Sequence, residues 1–176
     1  MSHAMIDLET FGTRPGCVIR SVGALIFNPK TDDVFETFYV NVDKQSCLDK
    51  GLVLDPDTVA WWERQSPAAK AAFDVDPRPL VEVLNSLNAF LRKNAAQQIW
   101  SQGSNFDGVL LEACYIACGY RAPWKHWDTR DTRTVYELGG LDTRTVARTG
   151  TYHNALDDCR FQARCVQLAY RNIKRV

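Results

Sequence analysis

An α/β fold, with a mixed central sheet flanked by helices, is what this 176-residue sequence predicts. Three observations carry the prediction. Apolar, β-branched runs of strand length fill the chain from Met5 to Val42, helical periodicity fills the middle, and strand and helix then alternate to the end. "MIDLET" is the first strand. "CVIRSVGALIF", Cys17 to Phe27, is a second, and "VFETFYVNV", Val34 to Val42, alternates well enough to be a third. "NPKTDD" between the last two is a hairpin-type turn, so the three strands read as an antiparallel meander. "DPDTVAWWERQSPAAKAAF" and "RPLVEVLNSLNAFLRKN" read as helices opened by Pro. Gln97 to Gly103 is a short strand, and Asn105 to Tyr120 is a helix that ends near Gly119, a residue suited to the left-handed cap. "WKHWDTRDTRTVY" mixes a strand with a turn, and a last helix runs from about Asn154 to Lys174. The order βββ-αα-β-α-β-α is that of a ribonuclease-H-like fold.

The bulk numbers fit one domain spanning residues 1–176, since 45% hydrophobic and 24% charged residues are ordinary for a globular chain of this size. Twenty-one basic residues balance 21 acidic ones, which excludes a global basic field; a polyanion has to be met by a local patch or by metal ions. The six cysteines form no Cys-x-x-Cys pair, and with three histidines no zinc cluster is apparent. Cys114, Cys118, Cys159 and Cys165 fall in helical patterns and read as small buried thiols. With no signal region and no long apolar run, the expectation is a cytoplasmic protein that does not span a membrane.

The chemistry begins with Asp7 and Glu9. In a strand they project from one face, about 7 Å apart, and two unpartnered carboxylates there repel and resist burial. Asp107 stands just after a strand and in the first turn of a helix, at the rim where α/β sheets place their sites; complementing the helix dipole is its plainer reading. In "YHNALDDCRFQARCVQLAY", Asn154 is a good N-cap, and helical periodicity separates the two acids that follow. Asp157 shares a face with Arg160, Arg164 and Arg171 and reads as solvated surface, while Asp158 aligns with Ala155, Gln162, Cys165 and Ala169, beside the inward stripe. Asp7, Glu9, Asp107 and Asp158 make no sense as a core. They suit two divalent cations, which as Mg²⁺ or Mn²⁺ prefer oxygen ligands, and His153 at a loop–helix junction suits a general base.

"DLE", "NFD" and "HNALDD" together resemble the three motifs of the DEDD 3′–5′ exonuclease superfamily, in its histidine (DEDDh) variant. The spacing His-x-x-x-x-Asp runs from His153 to Asp158, whereas a Tyr-x-x-x-Asp alternative fails because Leu156 stands four residues after Tyr152. The compact size and the "AWWERQSPAAKAAF" segment look like phage and prophage exonucleases and a related group of bacterial exoribonucleases. The resemblance implies that Asp7 bridges two Mg²⁺ or Mn²⁺ ions, that Glu9 and Asp158 complete the one carrying the attacking water, that Asp107 holds the second, and that His153 takes the proton. It also implies nucleoside 5′-monophosphates released from the 3′ end of single-stranded DNA or RNA, and a homodimer.

Around these five positions, Thr10 and Phe11 are candidate contacts to the terminal nucleotide. Trp61 and Trp62 cannot share a helix face, so one is core and the other exposed; Trp62 is the candidate for stacking on a base, with core packing as its plainer reading. Asp131 reads as an N-cap, with outer support to the site from Asp128 and Asp131 as the alternative; His3 and His126 carry no pattern. Arg130, Arg133, Arg144 and Arg148 approach His153 either as a solvated loop or as an edge that touches phosphate. Two other readings compete: a binding or assembly module of the same fold without catalysis, and a ribonuclease-H-like endonuclease or integrase.

Overall fold

The computed structural model describes residues 2–71, 75–103 and 105–173. Five strands, β1 (His3–Thr10), β2 (Ile19–Phe27), β3 (Val34–Asn41), β4 (Gln98–Ser101) and β5 (Thr129–Asp131), form one sheet in the order β3-β2-β1-β4-β5. β1, β2 and β3 are antiparallel neighbours, while β4 joins β1, and β5 joins β4, in parallel. The expected mixed sheet is present, and its parallel strands are those reached through helical crossovers, which parallel pairing requires. The helices are α1 (Lys44–Leu48), α2 (Pro56–Glu63), α3 (Pro67–Ala71), α4 (Leu80–Lys93), α5 (Asp107–Ala117), α6 (Thr132–Leu138) and α7 (Ala155–Asn172).

β1 is central and buried along its whole length, which explains why "MIDLET" does not alternate between apolar and polar residues. Its two faces still differ. Ala4, Ile6 and Leu8 enter a core with Leu84 and Leu87 of α4 and Leu110 and Leu111 of α5. Met5, on the other face, joins Trp100 with Cys159, Ala163 and Val166 of α7. Alternation therefore turns Asp7 and Glu9 toward the α7 side.

Two features open a site on that face. The β1–β4 register stops at the pair Met5↔Trp100, so among the described residues the edge of β1 beyond it has no strand partner. In β2, Gly23 is paired with Asp7, and a Cβ there would lie 2.3 Å from the Ala155 carbonyl carbon. The bare backbone of Gly23 lets the first turn of α7 rest directly on the sheet, beside the carboxylates.

Several elements depart from expectation. The segment read as one helix over 55–73 is two, α2 and α3, because Ser66 Oγ accepts from Ala69 N–H and Pro67 opens a new helix; Ala72 and Phe73 lie outside the described residues. α1 was not anticipated: it is five residues long and capped by Asp43, which accepts from Ser46 N–H. Where a strand and a turn were expected over 124–136, β5 lasts three residues and α6 follows at once, with Asp131 capping it through Arg133 N–H. β2 starts at Ile19, while Cys17 makes an isolated bridge to Val53. α7 ends at Asn172, and Lys174 lies outside the described residues.

Candidate active site

The end of β1, the first turns of α5 and α7, and α2 surround a cleft of about 880 Å³. Asp7, Glu9, Asp107, His153 and Asp158, which the sequence places up to 151 residues apart, all line it. Asp107 arrives at the unpaired edge of β1: its Oδ1 accepts the Leu8 N–H at 3.0 Å, standing in for the missing strand. Asp7 Oδ1 accepts from Gln162 Nε2 at 2.7 Å, one turn beyond Asp158 on α7. Glu9, His153 and Asp158 each offer an atom such that all three lie within 4.8 Å of one another.

These carboxylates are held against their solution chemistry. Asp7, Glu9 and Asp107 are 9%, 7% and 2% exposed. Burial, then the neighbouring Asp107 and Glu9, push the Asp7 carboxyl well above the usual range. Burial and Asp107 push Glu9 up to about 8, opposed by Arg20 and Arg148. Burial raises Asp107 to about 7 against the bond from Leu8 N–H. Each of the three is pushed toward its neutral, protonated form, a shift that a bound cation would reverse, and the donors of the cluster are carboxylate oxygens with one imidazole. That set fits hard divalent cations.

His153 sits at a strained junction. Its φ of 61° lies in the left-handed region, a cost of about 1–3 kcal/mol for a residue with a side chain. Asn154 Oδ1 caps α7 by accepting from Leu156 and Asp157 N–H, and Asp157 Oδ2 accepts from Thr151 N–H, so both ends of the junction are tied. Asp157, read as solvated surface, thus anchors the turn as well as pairing with Arg160; Arg164 and Arg171 pair with Asp32 instead. Burial, then Arg148, lower the His153 pKa below its ordinary value, which keeps the ring neutral and able to accept a proton near pH 7.

The surrounding residues divide. Thr10 lines the cleft, but its hydroxyl donates to Gly12 O at 2.6 Å and its carbonyl accepts from Trp62 Nε1 at 2.7 Å. Phe11 is half-buried beneath the Arg20 guanidinium and is not among the cleft-lining residues. Trp62, the sequence's candidate for base stacking, is 3% exposed, packed with Ala69 and covered by Arg20. Trp61 is half-buried against Trp62 and also lines the cleft, where its ring centre lies 4.8 Å from that of His153. Of the four arginines, Arg133 and Arg148 line the cleft. Arg144 pairs with Asp142, and Arg130 donates to the Trp127 and Thr129 carbonyls. Asp128 accepts from Lys125 N–H away from the cleft. Two contributors lay beyond motif reading: Gln162, whose only signal was its place on the Asp158 stripe, and Trp61. His3 accepts from Trp100 Nε1 inside the core, and all six cysteines are free, with Cys118 alone half-buried.

A five-stranded sheet of this order, with four acids and a histidine at its opened edge, defines a nuclease of the ribonuclease-H-like fold. The chain belongs to the 3′–5′ exoribonuclease Rv2179c-like domain family, which matches residues 2–170. Its fold is also that of DEDDh exonucleases. The nuclease domain of 3′hExo, a DEDDh family member bound to rAMP, is similar at 14% identity and TM-score 0.61, covering 97% of this chain and 92% of that one. A 3′-exonuclease solved for its 3′-end-specific recognition of a histone mRNA stem-loop is 15% identical, TM-score 0.63, covering 98% and 64%. The zinc-bound complex of E. coli ExoI with ssDNA is 13% identical, TM-score 0.72, covering 97% of this chain but 40% of that protein. No curated protein sequence matches the chain.

Proposed function

We propose that this 3′–5′ exonuclease removes nucleotides from the 3′ end of single-stranded RNA, using two Mg²⁺ or Mn²⁺ ions, and releases nucleoside 5′-monophosphates. The observation that carries the reading is the convergence of Asp7, Glu9, Asp107, His153 and Asp158 on one cleft from three separate elements. The family's description as exoribonuclease supports RNA over DNA. Bound cations supply the positive potential that polarises the attacking water and neutralises charge on both sides of the broken P–O bond. Asp7, Glu9, Asp107, fixed by Leu8 N–H, and Asp158 are the residues that would hold the cations. His153, neutral and beside Glu9 and Asp158, takes the proton of the attacking water. Trp61 offers a face to the terminal base, and Thr10 its backbone to the sugar. The cleft's size suits one splayed strand rather than a duplex.

All of residues 1–176 act as one domain in this reading. Free thiols throughout agree with a reducing cytoplasm, and among the described residues no helix is long and apolar enough to cross a membrane. The resemblance to histidine-type exonucleases speaks for a homodimer, which sedimentation tests. Matched 5′-labelled RNA and DNA strands with Mg²⁺ or Mn²⁺, run beside Asp158→Asn, test the activity. A ladder shortening from the 3′ end, faster on RNA and absent in the variant, is expected; an undiminished ladder in Asp158→Asn refutes the assignment.

A further inference from the structure

Arg148 precedes α7 in a loop, yet only 17% of its side chain is exposed. Its guanidinium lies 4.1 Å from the centre of the Tyr152 ring and 5.0 Å from that of Phe161. Between them it forms an ion pair with Asp158, whose own side chain is 15% exposed. Among the described residues, the buried Nε of Arg148 has no hydrogen-bond partner. A guanidinium carries five donors in a flat fork, and burying it with donors unused is costly. Here the cost is borne inside the cleft, against a carboxylate assigned to a metal.

A divalent cation and a guanidinium repel, so a cation held by Asp158 weakens the hold of Arg148 on the same carboxylate. Charge also argues against leaving Arg148 where it is. Asp7, Glu9, Asp107 and Asp158 carry four negative charges, and two divalent cations neutralise all four. Arg148 then has no carboxylate left to serve, whereas each phosphodiester entering the cleft brings one negative charge and a pair of oxygens that match the fork.

Resting on the exonuclease reading above, we propose that Arg148 exchanges partners: it is the counter-ion of Asp158 in the metal-free site and a ligand of the scissile phosphate once a metal takes Asp158. The stacked rings keep the guanidinium at the cleft during the exchange. Metal and nucleotide binding become linked, because each metal bound at Asp158 frees a phosphate ligand, and the linkage is reciprocal.

The probes are Mn²⁺ alone, followed by electron paramagnetic resonance, and uridine 5′-monophosphate, which carries the phosphate in question, titrated calorimetrically with Mn²⁺ present. Arg148→Gln, checked for folding by thermal unfolding, is expected to bind Mn²⁺ at least about fivefold more tightly, the size of one charge contact even at the dielectric of water. It should bind uridine 5′-monophosphate about tenfold more weakly, the worth of a charge-assisted hydrogen bond, while uridine itself binds as in the wild type. Arg148→Lys keeps the charge and loses the fork, so its Mn²⁺ affinity stays at the wild-type level and its monophosphate affinity falls. Unchanged Mn²⁺ affinity, or unchanged monophosphate affinity, in Arg148→Gln overturns the exchange. Wild-type digestion of 5′-labelled RNA keeps the two readings apart. A 3′-shortening ladder together with unchanged affinities overturns the exchange alone, and the lack of a ladder overturns the nuclease reading whatever the affinities.

Discussion

Replacing Gly23 by alanine adds one methyl group in β2, beside Asp7 but on a residue that carries no reacting group, and should disable the site. The added Cβ would stand 2.3 Å from the carbonyl carbon of Ala155 and 2.5 Å from both its oxygen and Leu156 N. Carbon atoms rest about 3.5 Å apart, so the first turn of α7 has to retreat by about 1 Å. Backbone is what the methyl meets, so no flexible side chain can swing away. Overpacking of this kind costs about 1–3 kcal/mol, which in a chain of this length lowers Tm by about 2–12 °C. The larger effect falls on the chemistry. Asp158 and Gln162 ride on α7, and His153 adjoins its N-cap Asn154, so all three move relative to Asp7. A 1 Å misplacement is worth about 10²-fold in rate. The assay is hydrolysis of 5′-labelled RNA well below Tm, with folding checked by circular dichroism. Gly108→Ala is the stability control, since its Cβ would meet nothing within 4 Å. Wild-type rate and Tm in Gly23→Ala would refute the claim that α7 is seated on bare backbone and that this seating sets the site.

Gln162→Leu removes the donor to Asp7 while keeping a side chain of similar reach, and it should weaken Mn²⁺ binding by about 10–100-fold, as loss of a ligand's supporting bond does; paramagnetic titration without RNA checks it. The two tryptophans should separate cleanly. Trp61→Ala leaves Tm near wild type and raises KM by the worth of one stacked base, about 1–3 kcal/mol, whereas Trp62→Ala, opening a hole under Arg20, destabilises by about 3–5 kcal/mol; melting curves beside steady-state kinetics distinguish them. His3 provides a pH test away from the cleft. Burial, then nearby positive charge, lower its pKa from 6.5 to about 4. Between those values the unfolded chain binds the proton and the folded one does not, so stability is lost as pH falls from 6.5 toward 4. His3→Gln, which cannot titrate, should flatten that limb of the Tm–pH curve; an unchanged limb counts against the assignment.

What the sequence disclosed and what it hid follow from how local each cause is. Asp7 and Glu9 share a face because strand alternation is a property of adjacent residues, and Asp158 parts from Asp157 because one residue turns a helix through about 100°. Such causes act within a few residues and can be read from spacing. The exposure of Trp61 against Trp62 is different: it is decided by Thr10 O, Ala69 and Arg20, none of which belongs to α2. Gln162 stood on the right stripe, but nothing short of the packed sheet says that its amide meets Asp7. α6 was lost for a related reason. Its Asp131 cap was legible, yet β5 ends at that same residue, and the three-residue strand exists only because β4 lies beside it. The break in pairing after Met5↔Trp100 is the most consequential of these hidden facts. A longer β4 would satisfy Leu8 N–H through the sheet and leave Asp107 without its anchor. The site therefore depends on a strand that stops early, because that leaves the edge of β1 to be met by Asp107 in place of a further strand residue.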